Sequence, residues 1–380
     1  MTLSATLSNH RILGQAQART ALTRSLVGGQ VHHAWIFHGP LGVGKCTTAI
    51  EFARLLLDAE ASSEHRHLFE APRGTRVAQL IDAGSHPDLH VIRKERSEDS
   101  QIASLREKKQ TNIPIDLLRE LMLGGNVDGK SFDGPVWRTS YVGYGKVFII
   151  DEAELLDHVG QNSLLKTLEE PPPNTYIILI TAREDRLLPT IRSRCQRVAF
   201  TPLSKDAMQE WFSRNPLAFG GSSVDARSLD WIARFADGSP GLAMLAARHG
   251  VHLWANDLAS SLADSSKGTF VAALSERMSE LVSGCAEAAV KENAKASKEA
   301  ANRLGARLLF GVLSQHVRDG LVQAAEAGDL GLAERWAQLV DVIDAADEQI
   351  RRNLNQKQVL ANLVAQWVGV APFATSGARR

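Results

Sequence analysis

A short apolar run, AWIFH at Ala34–His38, leads directly into Gly-Pro-Leu-Gly-Val-Gly-Lys at positions 39–45. Ala49, Phe52, Ala53 and Leu56 then recur at the i, i+3, i+4, i+7 spacing of a helix. Strand, glycine loop and helix in that order are the context in which GxxxxGK works as a phosphate loop. Gly39, Gly42 and Gly44 allow backbone N–H groups to turn inward on phosphate oxygens, and the helix N-terminus adds a favourable dipole. Lys45 is expected to meet the β- and γ-phosphates. The alternative is a glycine-rich turn carrying a surface lysine; the flanking strand and helix favour phosphate binding.

The unit predicts its surroundings. DLHVI at 88–92, VFII at 147–150, YIILIT at 176–181 and RVAF at 197–200 are further short, β-branched apolar runs separated by helical stretches. Such runs indicate a mainly parallel sheet covered on both faces. Strand signals cease near Lys205. Helices are expected at 206–214 and 226–236, the second stopped by Asp-Gly-Ser-Pro-Gly at 237–241. From about residue 251 the pattern is helical, with apolar faces over 300–327, 332–350 and 359–368 and a frayed tail at 375–380. The expected fold class is α/β plus all-α: a sheet domain at 1–203, a small helical domain at 204–250 and a helical C-terminal domain at 251–380. Segments 62–84 and 97–145 read as irregular. Arg106, Lys108 and Lys109 could touch DNA phosphates, but a solvated loop explains so short a charge run.

Composition removes several classes of function. With 43 basic and 43 acidic residues, no global field draws the chain onto nucleic acid or an anionic membrane. DNA contact must use local patches or come through partners. Cys46, Cys195 and Cys285 are too few and too widely spaced for a disulfide framework or a CxxC zinc site, which points to a reducing cytosol. The N-terminus lacks a signal-type apolar core, and no apolar run approaches the roughly 20 residues of a membrane span. A soluble, cytoplasmic protein is expected.

Three further features bear on chemistry. Cys46 stands where a Ser or Thr hydroxyl normally completes magnesium coordination. A thiol is a poor ligand for that hard ion, and Thr47 points about 100° away on the helix. Asp151 and Glu152 end the strand at 147–150, where ligands bind in open α/β sheets. Asp151 is a candidate for the magnesium shell and Glu152 for polarising the attacking water. A helix N-cap and first-turn acid is the local alternative. NSLLKTLEE at 162–170 has Leu164, Leu165 and Leu168 on one face and is ended by Pro171, Pro172 and Pro173. An arginine of TIRSRC at 190–195, just before the last strand, suits either of two roles: a finger reaching another molecule's phosphate, or a surface arginine paired with a carboxylate.

LGQ at 13–15, HHAWIFHGPLGVGK, IIDEAE, NSLLKTLEEPP and SRC at 193–195 together resemble the AAA+ clamp-loader family, and within it the delta-prime branch of bacterial DNA polymerase III. The likeness covers about residues 8–245, and its last two motifs are the most specific. It implies an AAA+ domain, a helical lid and a helical collar that joins a ring with gamma/tau and delta subunits. It also implies that Arg194 completes the ATP site of a neighbour and that Thr181 is the sensor-1 residue. The assembly would open the beta clamp and place it on primed DNA, with this subunit as stator.

Departures from the family pattern refine that picture. After Gly238-Ser239 the chain continues Pro240-Gly241-Leu242, without the sensor-2 arginine of active gamma/tau-type members. Together with Cys46, that favours the delta-prime branch. The four zinc cysteines found in many of its members are missing, and His65 with His67 make a weak site, so no structural zinc is expected. ATP binding is expected to remain open and hydrolysis to be weak or lost. The rivals are a gamma/tau-like ATPase motor and a nucleotide-free scaffold.

Overall fold

The structure is a computed structural model and describes residues 12–107, 111–216, 225–293 and 296–370. These fall into two compact units, 1–214 with 238–241, and 215–237 with 242–380. The expected tail at 375–380, and Lys108 and Lys109, lie outside the described residues.

The first unit is built on a sheet. Its strands are β1 (Ala34–His38), β2 (Leu89–Ile92), β3 (Gly125–Val127), β4 (Lys130–Phe132), β5 (Lys146–Ile150), β6 (Thr175–Thr181) and β7 (Gln196–Ala199). Five of them form a parallel sheet in the order β2-β5-β6-β1-β7, while β3 and β4 make a separate antiparallel hairpin. This is the mainly parallel sheet, covered on both faces, that the glycine loop and its apolar runs predict.

Alternation along each strand divides the core into two layers. Trp35, Phe37, Val147, Ile149, Ile178 and Ile180 face the helices Ala16–Val27 and Lys45–Leu57, meeting Leu22, Leu26, Phe52 and Leu55. Ala34, Ile36, Phe148, Ile150, Ile177 and Leu179 face the other way, towards Leu117, Leu118, Leu164 and Leu168. Each such large apolar side chain, removed fully from water, contributes about 1.5–3 kcal/mol. The sheet is therefore rigid where its strand ends carry the candidate site.

Several expected boundaries shift. The helix anticipated at 162–170 runs His158–Glu169, because the Asp157 carboxylate caps it by accepting from Gly160 N. Segment 62–84 is more regular than its composition predicts. It holds the helices Ser63–Leu68 and Arg76–Asp82, capped by the hydroxyls of Ser62 and Thr75. Segment 97–145 likewise contains the helix Ala103–Glu107 and the β3–β4 hairpin. Arg106 is exposed and donates from Nη1 to Ser100 O at 2.7 Å, a bond that ties the side chain to its own loop.

The second unit is helical throughout its described residues. Ala226–Ala236 is capped by Asp225, and the long helices Val251–Ser266, Ala272–Glu292, Lys298–Glu326, Leu330–Arg351 and Gln356–Val370 follow. Val282, Leu309, Leu313, Ile343, Leu360 and Trp367 are among their buried apolar residues. No helix among the described residues is long and apolar enough to cross a membrane.

Candidate nucleotide site and rim arginine

Parallel register gathers the C-terminal strand ends at one edge. Ile92 lies opposite Ile150, Ile150 opposite Leu179, and His38 opposite Thr181. The residues that follow these strands therefore converge, and the phosphate loop leaves from the same edge. Gly39 adopts φ 140°, and a Cβ there would lie 2.2 Å from Phe200 O, so only glycine fits. The helix Lys45–Leu57 starts from Gly44 at φ 99° with no side-chain cap. A Cβ added at Gly44 would meet nothing within 4 Å, which leaves that side of the loop open to an anion.

Three neighbours brace the loop. The Gln15 amide donates to Val43 O at 3.1 Å and to Thr201 O at 2.6 Å, while its Oε1 accepts from Thr201 N at 3.1 Å. Ser239 Oγ donates to Leu41 O at 2.7 Å, and Gly241 N donates to Gly42 O at 2.9 Å. Gly241 sits so close that a Cβ would be 2.6 Å from Gly42 Cα. The buried Lys45 curls back, its Nζ donating to Gly39 O at 2.7 Å and Pro40 O at 2.6 Å. Thr47 lies half-buried, whereas the next hydroxyl, Thr48 Oγ1, is turned back to Gly44 O at 2.9 Å.

Next to the loop, the candidate hydrolytic residues are already engaged. Arg93, the first residue beyond β2, donates from Nη2 to Cys46 Sγ at 2.9 Å and pairs with Asp151 Oδ2 at 3.0 Å. Lys94 pairs with Glu152 Oε2. Desolvation, and after it the Asp151 charge, push the Cys46 thiol up to about 12, so it stays protonated at neutral pH. Desolvation also raises the Glu152 carboxyl above its ordinary value, with Lys94 pulling the other way. Lys94 is itself raised: desolvation, the largest effect, lowers it, but the charges of Glu152, Glu95 and Asp151 and the Glu152 hydrogen bond together outweigh that loss. Glu152 holds φ 56°, a left-handed conformation uncommon for a residue with a side chain, and its carboxylate makes no capping bond. Asp151 Oδ1 accepts from the adjacent Glu152 N, at 3.1 Å, and the short helix Ala153–Leu155 has no side-chain cap.

These residues do not fit a magnesium ion. Magnesium asks for hard oxygens in a near-octahedral shell. Here the loop offers a protonated thiol, and the two expected acids are paired with a guanidinium and an ammonium. Among the described residues, no group of three or more His, Cys, Asp or Glu could hold a metal. His65 and His67 serve local turns instead, His65 Nδ1 accepting from Ser62 N at 3.1 Å and His67 Nδ1 lying 2.7 Å from Ser63 O.

Thr181 is 1% exposed, and its hydroxyl accepts from Arg183 N at 2.9 Å. Its strand lies beside β1, so it shares the edge with the loop. Arg194 lies apart from that cluster, following the short helix Pro189–Arg192. Its side chain is 35% exposed, with Nη2 at 2.6 Å from Glu169 Oε1 and Nη1 donating to Thr190 O at 2.9 Å. Glu169 is the last residue of the helix His158–Glu169, 50% exposed. The carboxylate partner foreseen for a surface arginine is thus present.

Arg93, Lys94 and Gln15 were not singled out as site residues from sequence. For the first pair the signal was two consecutive cations directly after an apolar strand. For Gln15 it was the Gly-Gln turn before a helix, with both residues in the left-handed region.

A family model described as DNA polymerase III, delta subunit, matches residues 14–204, half of the 380-residue chain. The chain belongs to that family. Among family relatives, the DNA polymerase III subunit delta' of Pseudomonas aeruginosa is 31% identical over 218 residues, 57% of this chain and 56% of that protein. The subunit delta' of Escherichia coli is 29% identical over 223 residues, 59% and 57% of the two chains. The subunit gamma of Buchnera aphidicola is 30% identical over 249 residues, 65% and 60%. The chain thus spans little more than half the length of the curated relatives it matches. A DNA polymerase III gamma subunit-related protein of Thermotoga maritima is similar at 17% identity with a TM-score of 0.42, over 93% of this chain and 99% of that one.

Proposed function

We propose that this delta-family chain is the delta-prime stator of the DNA polymerase III clamp loader. It lends Arg194 to the ATP site of a neighbouring gamma/tau subunit and turns over little or no ATP itself. The observation that carries this reading is the pairing of Asp151 with Arg93 and Glu152 with Lys94. An acid held by an adjacent cation is poorly placed to coordinate a metal or polarise water, so the hydrolytic set is disarmed while the loop persists. Arg194 stands outside that set on an exposed edge, where a guanidinium fork suits the oxygens of a transferred phosphoryl group.

Within this reading, residues 1–203 are the AAA+ domain, 204–250 the lid and 251–380 the collar that assembles with gamma/tau and delta subunits in the cytoplasm. The beta clamp and primed DNA are met through the whole complex. The rival, a gamma/tau-like motor, is favoured by the intact Gly39–Lys45 loop and by relatives of both kinds near 30% identity. The two separate on one pair of measurements. Arg194→Ala should leave assembly intact and reduce clamp-dependent ATP hydrolysis by the complex, while the isolated chain shows no turnover. Turnover by the isolated chain, or an unchanged rate with Arg194→Ala, overturns the stator reading.

A further inference from the structure

Arg93 is bound to the loop through a single nitrogen. Nη2 lies 2.9 Å from Cys46 Sγ and 3.0 Å from Asp151 Oδ2. Those are the two side-chain positions between which a phosphate loop of this kind presents its divalent ion. A guanidinium supplies positive charge there with fixed donors and no need for oxygen ligands, which suits a thiol at position 46. Its Nε is buried and has no acceptor among the described residues, a donor left unspent beside an anion-binding loop. The cradle itself is kept: Gly44 is open, and Lys45 leans on loop carbonyls from which a phosphate can draw it.

We infer that Arg93 is the built-in counter-ion of this loop, so that the chain binds a nucleoside triphosphate without a divalent metal ion. Arg93 and Lys45 then share the charge of the phosphates, and a magnesium-bound nucleotide would bring a second cation against the guanidinium. Lys94 on Glu152 leaves no free carboxylate to activate water, so the bound triphosphate stays whole. The inference rests on reading the loop as a site that binds without turnover, and it does not involve Arg194.

Calorimetric titration of the full chain with ATP, in EDTA and in excess magnesium, tests it. Affinity in EDTA should equal or exceed that in magnesium. Arg93→Ala should weaken the EDTA affinity by about tenfold, the scale of one charge-assisted contact, while Arg93→Lys keeps most of it. Combining Arg93→Ala with Cys46→Ser should reverse the preference, so that magnesium now tightens binding. Absence of binding in both buffers, a requirement for magnesium in the unaltered chain, or indifference to Arg93→Ala each overturns the inference. If Arg93→Ala does not fold, the unaltered chain in the two buffers decides. The response of the assembled complex to Arg194→Ala is a separate readout, so the two readings fail separately.

Discussion

Arg194 is held by Glu169, and the strength of that hold sets what its removal should do. The pair is 2.6 Å long, but its side chains are 35% and 50% exposed. A pair so wet stabilises by at most about 1 kcal/mol. An arginine finger engaged with a phosphoryl group in transfer supplies about 10³–10⁵ in rate, roughly 4–7 kcal/mol. On the proposed stator reading, so weak a pair would not hold Arg194 back from a neighbour's phosphate, and Glu169 would be only its resting partner. In complexes reconstituted with gamma/tau and delta homologues, single-turnover ATP hydrolysis at the adjoining site should fall by at least a hundredfold with Arg194→Ala. Arg194→Lys should recover only part of it, since an ammonium lacks the fork. Glu169→Gln should leave the rate unchanged or raise it by up to about fivefold, the factor equivalent to 1 kcal/mol. A fall with Glu169→Gln comparable to that with Arg194→Ala would refute the reasoning, because Glu169 would then be part of the chemistry and not merely a resting partner.

Other perturbations have equally definite outcomes. Cys46→Thr alone should leave the isolated chain without measurable turnover in a phosphate-release assay, because Arg93 and Lys94 still hold Asp151 and Glu152; turnover from this single change would refute the disarming role of the cations. Gln15→Ala removes three hydrogen bonds from a buried amide and should lower unfolding free energy in urea by about 2–3 kcal/mol. Gly241→Ala forces a methyl group against Gly42 and should cost about 1–3 kcal/mol in the same measurement. His90, stacked on Phe148, is lowered by desolvation from 6.5 to about 4. A folded-state value below the unfolded one gives stability that is present above pH 6.5 and lost as pH falls towards 4. His90→Gln should flatten the acid limb of the stability profile over that window, and an unaltered slope would show that His90 titrates normally.

The sheet was legible because strands buried on both faces read as unbroken apolar runs, and β1, β5 and β6 are such strands. The helices of six and seven residues at Ser63–Leu68 and Arg76–Asp82 were not, since two turns give too little period to register. Their caps, Ser62 and Thr75, emerge only with the structure. The glycine loop and Asp151 could be named from spacing, and Arg194 from the resemblance carried by SRC at 193–195. What they touch could not, because Arg194 and Glu169 lie 25 positions apart and meet only through packing.

Arg93 shows what kind of information was missing. Both strand ends, Ile92 and Ile150, could be located in the sequence, but nothing in it says that β2 and β5 are neighbours. Once β2 pairs in parallel with β5 and Ile92 falls opposite Ile150, the next residues along must also meet. Asp151 N donates to Ile92 O at 3.0 Å, extending the ladder by one step. Arg93 then has to face Asp151, and Lys94 Glu152, so two cation–carboxylate pairs follow from one register. A sequence with Arg-Lys after one strand and Asp-Glu after its neighbour thus encodes its own neutralised site. Shifting the cations by one position, with the apolar strands unchanged, would release Asp151 without disturbing the sheet.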